Sequence, residues 1–218
     1  MTSRECFGPS PAWNVSGLLT RPGSWPVTGL RHCSARSTPN GRQPKFGDRW
    51  RRDCPVNQAE LLRYVVETLE ELGIDYLIGG SQASIYYGEP RFTQDIDIVA
   101  DMAPTHVRLF LERFALPNFY VNEDAVREAI TRRGQFNIIH PASGLKVDVI
   151  LKKDTPYDRI QFERRQRQPL IPGTDAYFAR PEDVILYKML SFKEGRSERH
   201  LRDIAGMLAI SGAAIDAG

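Results

Sequence analysis

Residues 74–88 set the first constraint on the fold. Ile74-Asp75-Tyr76-Leu77-Ile78 is a short, mostly apolar run, and it reads as a buried strand. Gly79-Gly80 follows as a turn, residues 81–87 start a helix, and Gly88-Glu89-Pro90 breaks it. A buried strand needs partners on both sides, so a sheet is implied, with at least one helix laid beside it. Residues 95–100, Asp-Ile-Asp-Ile-Val-Ala, alternate polar and apolar and supply a second strand.

The rest of the chain is consistent with that start. Asn57 is a helix N-cap for residues 58–72, and Gly73 is the stop. Leu61, Leu62, Val65, Leu69 and Leu72 recur at helical spacing. Helices are expected at 105–114 and 124–133. A hairpin pairs 136–140 with 145–152 across Pro141-Ala142-Ser143-Gly144. A short helix is read at 157–165, extended pieces at 169–171 and 176–179, and two final helices opening at Pro181 and Ser197. The fold class is α+β: a mixed sheet flanked by helices, with a C-terminal helical pair. Residues 55–179 form the main domain, and 180–218 are helices that pack on it.

Residues 1–54 differ in kind. They are rich in Pro, Gly, Ser and Arg, hold all three tryptophans, and follow neither structural period. Nine basic against three acidic side chains give them a balance of +6, so the remainder of this +2 chain sums to −4. They are expected to be a disordered basic arm, or translated sequence upstream of the functional start. Cys6, Cys33 and Cys54 are scattered within or at the edge of this stretch and suggest no disulfide framework or metal-ligand spacing. No membrane-length apolar run and no secretory leader pattern is read, so the cytoplasm is the expected compartment.

Three features carry chemistry. Gly79-Gly80-Ser81 between strand and helix lets the backbone approach an anion while the helix start offers free N–H groups, although most such turns only change chain direction. Asp95 and Asp97, two apart on a strand, point to one side, where their mutual repulsion calls for water or a cation; a solvated strand edge is the bland alternative. Mg²⁺ favours a few carboxylates plus phosphate oxygens. Asp148 lies on a strand of β-branched residues and shares a face with Lys146 and Lys152; standing alone it would read as ordinary alternation.

Together these residues resemble a known family. Tyr76-Leu77-Ile78-Gly79-Gly80-Ser81-Gln82-Ala83, then Gly88, Arg91, Thr93 and Asp95-Ile96-Asp97-Ile98-Val99, resemble the DNA polymerase beta-type nucleotidyltransferase superfamily. Within it the chain is most similar to the AbiEii-like nucleotidyltransferases of toxin–antitoxin and phage-defence systems. Arg180-Pro181-Glu182-Asp183, Lys188, Arg199 and Asp203-Ile204 add to that likeness, which spans about residues 57–210. The thirteen residues between Ser81 and Asp95 fit this group and the tRNA-end-repair enzymes, but Gln82-Ala83-Ser84 stands where the latter carry Val-Arg-Asp.

The resemblance implies a Mg²⁺-dependent enzyme that moves an NMP from an NTP to a hydroxyl acceptor. Asp95, Asp97 and Asp148 would hold metal, with Asp148 also accepting the proton of the attacking hydroxyl. Gly79, Gly80 and Ser81, with Arg91, Thr93 and Lys188, would bind the nucleotide. The acceptor would be a tRNA 3′ end or a protein, and a toxin of this kind would have an antitoxin partner. Three alternatives stay open: a small-molecule transferase of the aminoglycoside-modifying type, a non-catalytic antitoxin-like module, and a nucleic-acid-binding protein that uses the basic arm with the globular part as scaffold.

Several residues have two readings. Arg91 contacts phosphate or pairs with Asp95. Lys188 reaches the triphosphate or is a solvated surface lysine. Arg199, Arg202 and Asp203 form an ion pair on or between helices, with substrate contact as the other reading. Tyr86 and Tyr87 pack on the sheet. Arg159, Arg164, Arg165 and Arg167 make a solvated basic face or an RNA contact, the bland reading being the simpler one.

Overall fold

The computed structural model describes residues 56–215, so the basic arm, the cysteines and the tryptophans lie outside the described residues. Helix α1 (Gln58–Glu71) begins with a capping box: Asn57 Oδ1 accepts from the Glu60 N–H, and Glu60 Oε2 accepts from the Asn57 N–H. Leu61, Leu62, Val65, Val66 and Leu69 form its buried stripe. Gly73, at φ +65°, ends it in the left-handed conformation that favours glycine.

Six strands form one mixed sheet: β1 (Asp75–Ile78), β2 (Asp95–Asp101), β3 (Gln135–His140), β4 (Leu145–Leu151), β5 (Gln166–Ile171) and β6 (Thr174–Phe178), in the order β3-β4-β2-β1-β6-β5. Strands β1 and β2 run antiparallel, whereas β2 and β4 run parallel in a register that sets Asp95 opposite Lys146 and Asp97 opposite Asp148. Ile96, Ile98, Val147 and Val149 alternate with these charged residues and are fully buried. The alternation in β2 and β4 thus separates a core face from a chemical face.

Helix α2 (Gly80–Tyr87) packs on β2 and against the C-terminal helices α6 (Pro181–Gly195) and α7 (Glu198–Ser211). Gly88, after α2, lies against α7: a Cβ there would lie 2.8 Å from Ser84 O and 2.9 Å from Met207 N. Tyr86 packs on Phe178 with ring centroids 4.7 Å apart, and both Tyr86 and Tyr87 are buried, as the sequence suggests. No helix among the described residues is long and apolar enough to cross a membrane.

The remaining elements are α3 (Val107–Arg113), α4 (Glu123–Arg132) and α5 (Pro156–Glu163). The single helix expected at 105–114 is a 3-10 turn at Pro104–His106 followed by α3. The extended pieces expected at 169–171 and 176–179 belong to a complete hairpin, β5–β6. Pro169 fits there because β5 is an edge strand, where a missing N–H leaves no neighbour unpaired.

Candidate active site

The candidate site lies where β1 hands over to α2. Gly79 caps α2 with extended backbone, and its N–H donates to the Asp97 carbonyl at 3.1 Å. Gly80 has φ +54°, and a Cβ there would sit 2.0 Å from Asp97 Oδ2. Only glycine lets the Asp97 carboxylate press against the first residue of the helix. Asp97 Oδ2 then accepts from the Ser81 N–H at 3.2 Å. A carboxylate at a helix start is favourable, since it meets otherwise unpaired N–H groups at the positive dipole end.

Asp95, Asp97 and Asp148 occupy one face of two adjacent strands. Neighbouring strands run about 4.8 Å apart, so Asp97 and Asp148 stand side by side. Burial pushes the Asp97 carboxyl above its ordinary range; the Ser81 N–H pulls it back, and the charges on Asp148 and Asp95 push it up further. Asp148 Oδ2 accepts from Lys146 Nζ at 3.0 Å, and Lys146 Nζ also lies 3.9 Å from Asp95 Oδ1. The hydrogen bond to Asp148, aided by the three carboxylates, raises the Lys146 ammonium above its ordinary value. The Asn137 amide, opposite Asp148 on β3, donates to Asp148 Oδ1 when its nitrogen faces that carboxylate.

Beside the helix start stands a cluster of cations. Arg91 clamps Asp203 of α7 with two bonds, Nε to Oδ1 at 2.7 Å and Nη2 to Oδ2 at 2.8 Å, and donates to Ser81 Oγ at 3.1 Å. Lys188 of α6, only 3% exposed, donates to Asp203 Oδ2 at 2.6 Å. Arg199 reaches Ser81 Oγ at 3.4 Å and Thr93 Oγ1 at 3.5 Å. Thr93 is itself buried, and its carbonyl accepts from Gln58 of α1. Two cations on one carboxylate, with Arg199 beside them at Ser81 and Thr93, leave an excess of positive charge next to the N-terminal N–H groups of α2. That combination attracts a polyanion.

Several expectations are corrected. Arg91 does not pair with Asp95; its carboxylate partner is Asp203, more than a hundred residues further along the chain. Lys188 is not a solvated lysine, because packing of α6 against α7 encloses it with Asp203, and burial pushes its ammonium down despite that partner. The basic stretch at 159–167 is mostly engaged within the fold rather than solvated. Arg164 bonds the buried Asp183, Arg165 pairs with Asp75 and lies over Tyr177, and Arg167 faces Glu70 and Asp175. Asp203 does form an ion pair between helices, but with Lys188, and with Arg91, rather than with the expected Arg199 or Arg202.

The sequence alone did not reveal Asn137 as a neighbour of Asp148. Arg199, read first as an ion-pair residue with substrate contact as the alternative, approaches Ser81 and Thr93. Strand parity placed Lys146 on the right face, but only the β2–β4 register brings it to Asp95.

Among the described residues, no group of three or more His, Cys, Asp or Glu side chains stands ready-gathered around a single point. The residues nevertheless suit an oxygen-preferring divalent ion. Asp95 is exposed on one side of Asp97, the Asp97 carboxyl is pushed up by burial and like charge, and all donors are carboxylate oxygens.

The six-stranded mixed sheet with its flanking helices is a fold shared with solved structures. The chain is similar to the antibiotic-resistance factor ANT(2'')-Ia, with a TM-score of 0.50 and 15% identity over 74% of this chain and 88% of that one. It is similar also to the lincosamide antibiotic adenylyltransferase LnuA in its lincomycin-bound form, with a TM-score of 0.49 and 15% identity over 72% and 99% of the two chains. A nucleotidyltransferase-like protein from Paracoccidioides brasiliensis has a TM-score of 0.49 and 18% identity over 72% and 78%. The likeness is one of fold. No protein-family model matches the chain, and no curated protein matches it.

Proposed function

We propose that the protein is a nucleotidyltransferase that moves an NMP from an NTP to a hydroxyl acceptor with the help of Mg²⁺. The observation that carries this reading is the in-register placement of Asp97 beside Asp148, on the face that opens at the N-terminus of α2. A helix start, a serine and an excess of cations adjoin those acids, and phosphoryl transfer requires that pairing of a metal-binding face with an anion cradle.

Each residue then has a role. The N–H groups at the start of α2 and the Ser81 hydroxyl bind the β- and γ-phosphates. Arg91 and Arg199 supply positive charge beside them. Lys188 acts at longer range, since its ammonium is bonded to Asp203. Thr93 anchors the loop between α2 and β2. Asp95 and Asp97 would hold Mg²⁺, which when bound neutralises phosphate charge and lowers the barrier to attack. Asp148 takes the proton of the acceptor hydroxyl as its oxygen bonds to the α-phosphorus. The bond from that phosphorus to the bridging oxygen breaks, and pyrophosphate departs. Lys146 and Asn137 hold the Asp148 carboxylate for this step.

A tRNA 3′ end or a protein side chain is the acceptor class proposed, as for an AbiEii-like toxin with an antitoxin partner. An antibiotic acceptor is the competing outcome. The deciding experiment supplies Mg²⁺ and each α-labelled NTP to the protein with total tRNA, an aminoglycoside panel or lincomycin, beside an Asp97→Ala control. Label on RNA or protein, absent from the control, supports the toxin-like reading. Label on a drug replaces the acceptor class and keeps the chemistry. No label and no Asp97-dependent NTP binding removes the enzyme reading.

A further inference from the structure

The β2–β4 register places four charged side chains at the corners of one patch: Asp95 opposite Lys146, and Asp97 opposite Asp148. Lys146 Nζ lies 3.0 Å from Asp148 Oδ2 and 3.9 Å from Asp95 Oδ1, so a positive charge already stands between the strands. The next strand gives it no other partner. Opposite Lys146 on β3 is Ile139, and opposite Asp148 is the neutral Asn137. Asn137 meanwhile occupies the second oxygen of Asp148. A divalent ion joining Asp148 to the Asp95–Asp97 pair would need the space that the ammonium holds, and two cations in one such space repel.

Two-metal phosphoryl-transfer sites keep their ions about 3.5–4 Å apart, each sharing carboxylates with the other. We propose that Lys146 takes the place of the second of these ions, so that the site loads a single divalent cation on Asp95 and Asp97 while Lys146 bridges Asp95 and Asp148. This rests on the nucleotidyltransferase reading above and deepens it. Lys146 acts here as a positioning residue: it fixes Asp148 toward the hydroxyl proton and supplies charge that another enzyme would draw from a second metal.

The test counts ions rather than turnover. Mn²⁺ is titrated into the full chain with α,β-methylene-ATP, or its GTP, CTP and UTP counterparts, and free Mn²⁺ is read by electron paramagnetic resonance. Wild type is expected to bind one Mn²⁺ per chain. Lys146→Met is expected to bind two, the second at least about tenfold tighter than any second ion in wild type, with spin–spin broadening between them. Lys146→Arg keeps the charge and stays at one. The side chain is 39% exposed, so these variants are expected to fold, and circular dichroism checks that they do. Two ions in wild type, or one ion in Lys146→Met, overturns the proposal while leaving nucleotidyl transfer intact. Binding of neither Mn²⁺ nor nucleotide above the Asp97→Ala background overturns both.

Discussion

Replacing Gly80 with alanine tests the coupling between fold and site at its tightest point. The new Cβ would meet Asp97 Oδ2 at 2.0 Å, Cγ at 2.6 Å and Cβ at 2.7 Å. Strand β2 cannot retreat, because it is hydrogen-bonded to β1 on one side and β4 on the other. The carboxylate must therefore swing away and give up the Ser81 N–H. Losing a hydrogen bond to a charged group costs about 1.5–3 kcal/mol. Forcing an alanine into φ +54° adds about 1–2 kcal/mol. The expected destabilisation is about 2.5–5 kcal/mol, which urea denaturation reads as a fall in midpoint of about 1–2.5 M at a slope of about 2 kcal/mol/M. If Asp97 is the obstacle, the cost is not additive. In an Asp97→Ala background only the left-handed strain remains, so a double-mutant cycle should return a coupling of about 2 kcal/mol. Gly88→Ala is the contrast. Its Cβ would strike the backbone of Ser84 and Met207, so its cost should be independent of Asp97. Additive costs for Gly80→Ala and Asp97→Ala would refute the close approach on which the site description depends.

Other outcomes follow from the charges. The Asp97 carboxyl is raised above its unfolded value of 3.8, so its ionisation opposes folding: the penalty is absent below that pH and complete above the raised native value. Asp97→Asn, which can still accept from Ser81, should be more stable than wild type at pH 7 and no more stable in acid, and Mg²⁺ should raise the melting temperature of wild type alone. Burial pushes Asp203 up, but the bonds from Arg91 and Lys188 hold it below 3.8, so its contribution is present above that pH and is lost as pH falls through the depressed native value. Asp203→Asn should cost about 3–5 kcal/mol, because Lys188 keeps a buried charge with no counter-charge; Lys188→Met should cost markedly less, because Arg91 still clamps Asp203. Arg199→Gln should weaken NTP binding, measured by calorimetry, and leave the urea midpoint unchanged.

What was legible in the sequence was whatever local periodicity encodes. The capped helix α1, the 79–80 turn and the alternation of β2 and β4 follow from residues close in sequence, and parity alone placed Asp95 with Asp97. The β5–β6 hairpin was only half visible, because Gln166-Arg167-Gln168 is polar throughout and Pro169 interrupts it; an edge strand tolerates both. Partners set by tertiary packing were not legible. Nothing in the loop around Arg91 announces Asp203, and nothing in α6 says that Lys188 is enclosed, since the surface it turns toward belongs to α7.

The Arg91–Asp203–Lys188 cluster explains why the C-terminal helices matter to a site built on the first two strands. Burying two cations and an anion is costly, and apolar residues would hold α6 and α7 together at least as well. What apolar residues could not do is fix the direction of Arg91. Asp203 grips two of its nitrogens, and the rigid guanidinium fork then carries Nη2 to Ser81 Oγ. Lys188 balances the charge of Asp203 from behind, leaving the positive charge of Arg91 uncompensated toward the start of α2. On this argument Arg91→Lys is not conservative: a point charge cannot hold Asp203 and Ser81 in that fixed geometry. It should weaken NTP binding about as much as Arg91→Ala does, while losing less stability. Full retention of binding by Arg91→Lys would mean that charge alone, without orientation, is what the cluster supplies.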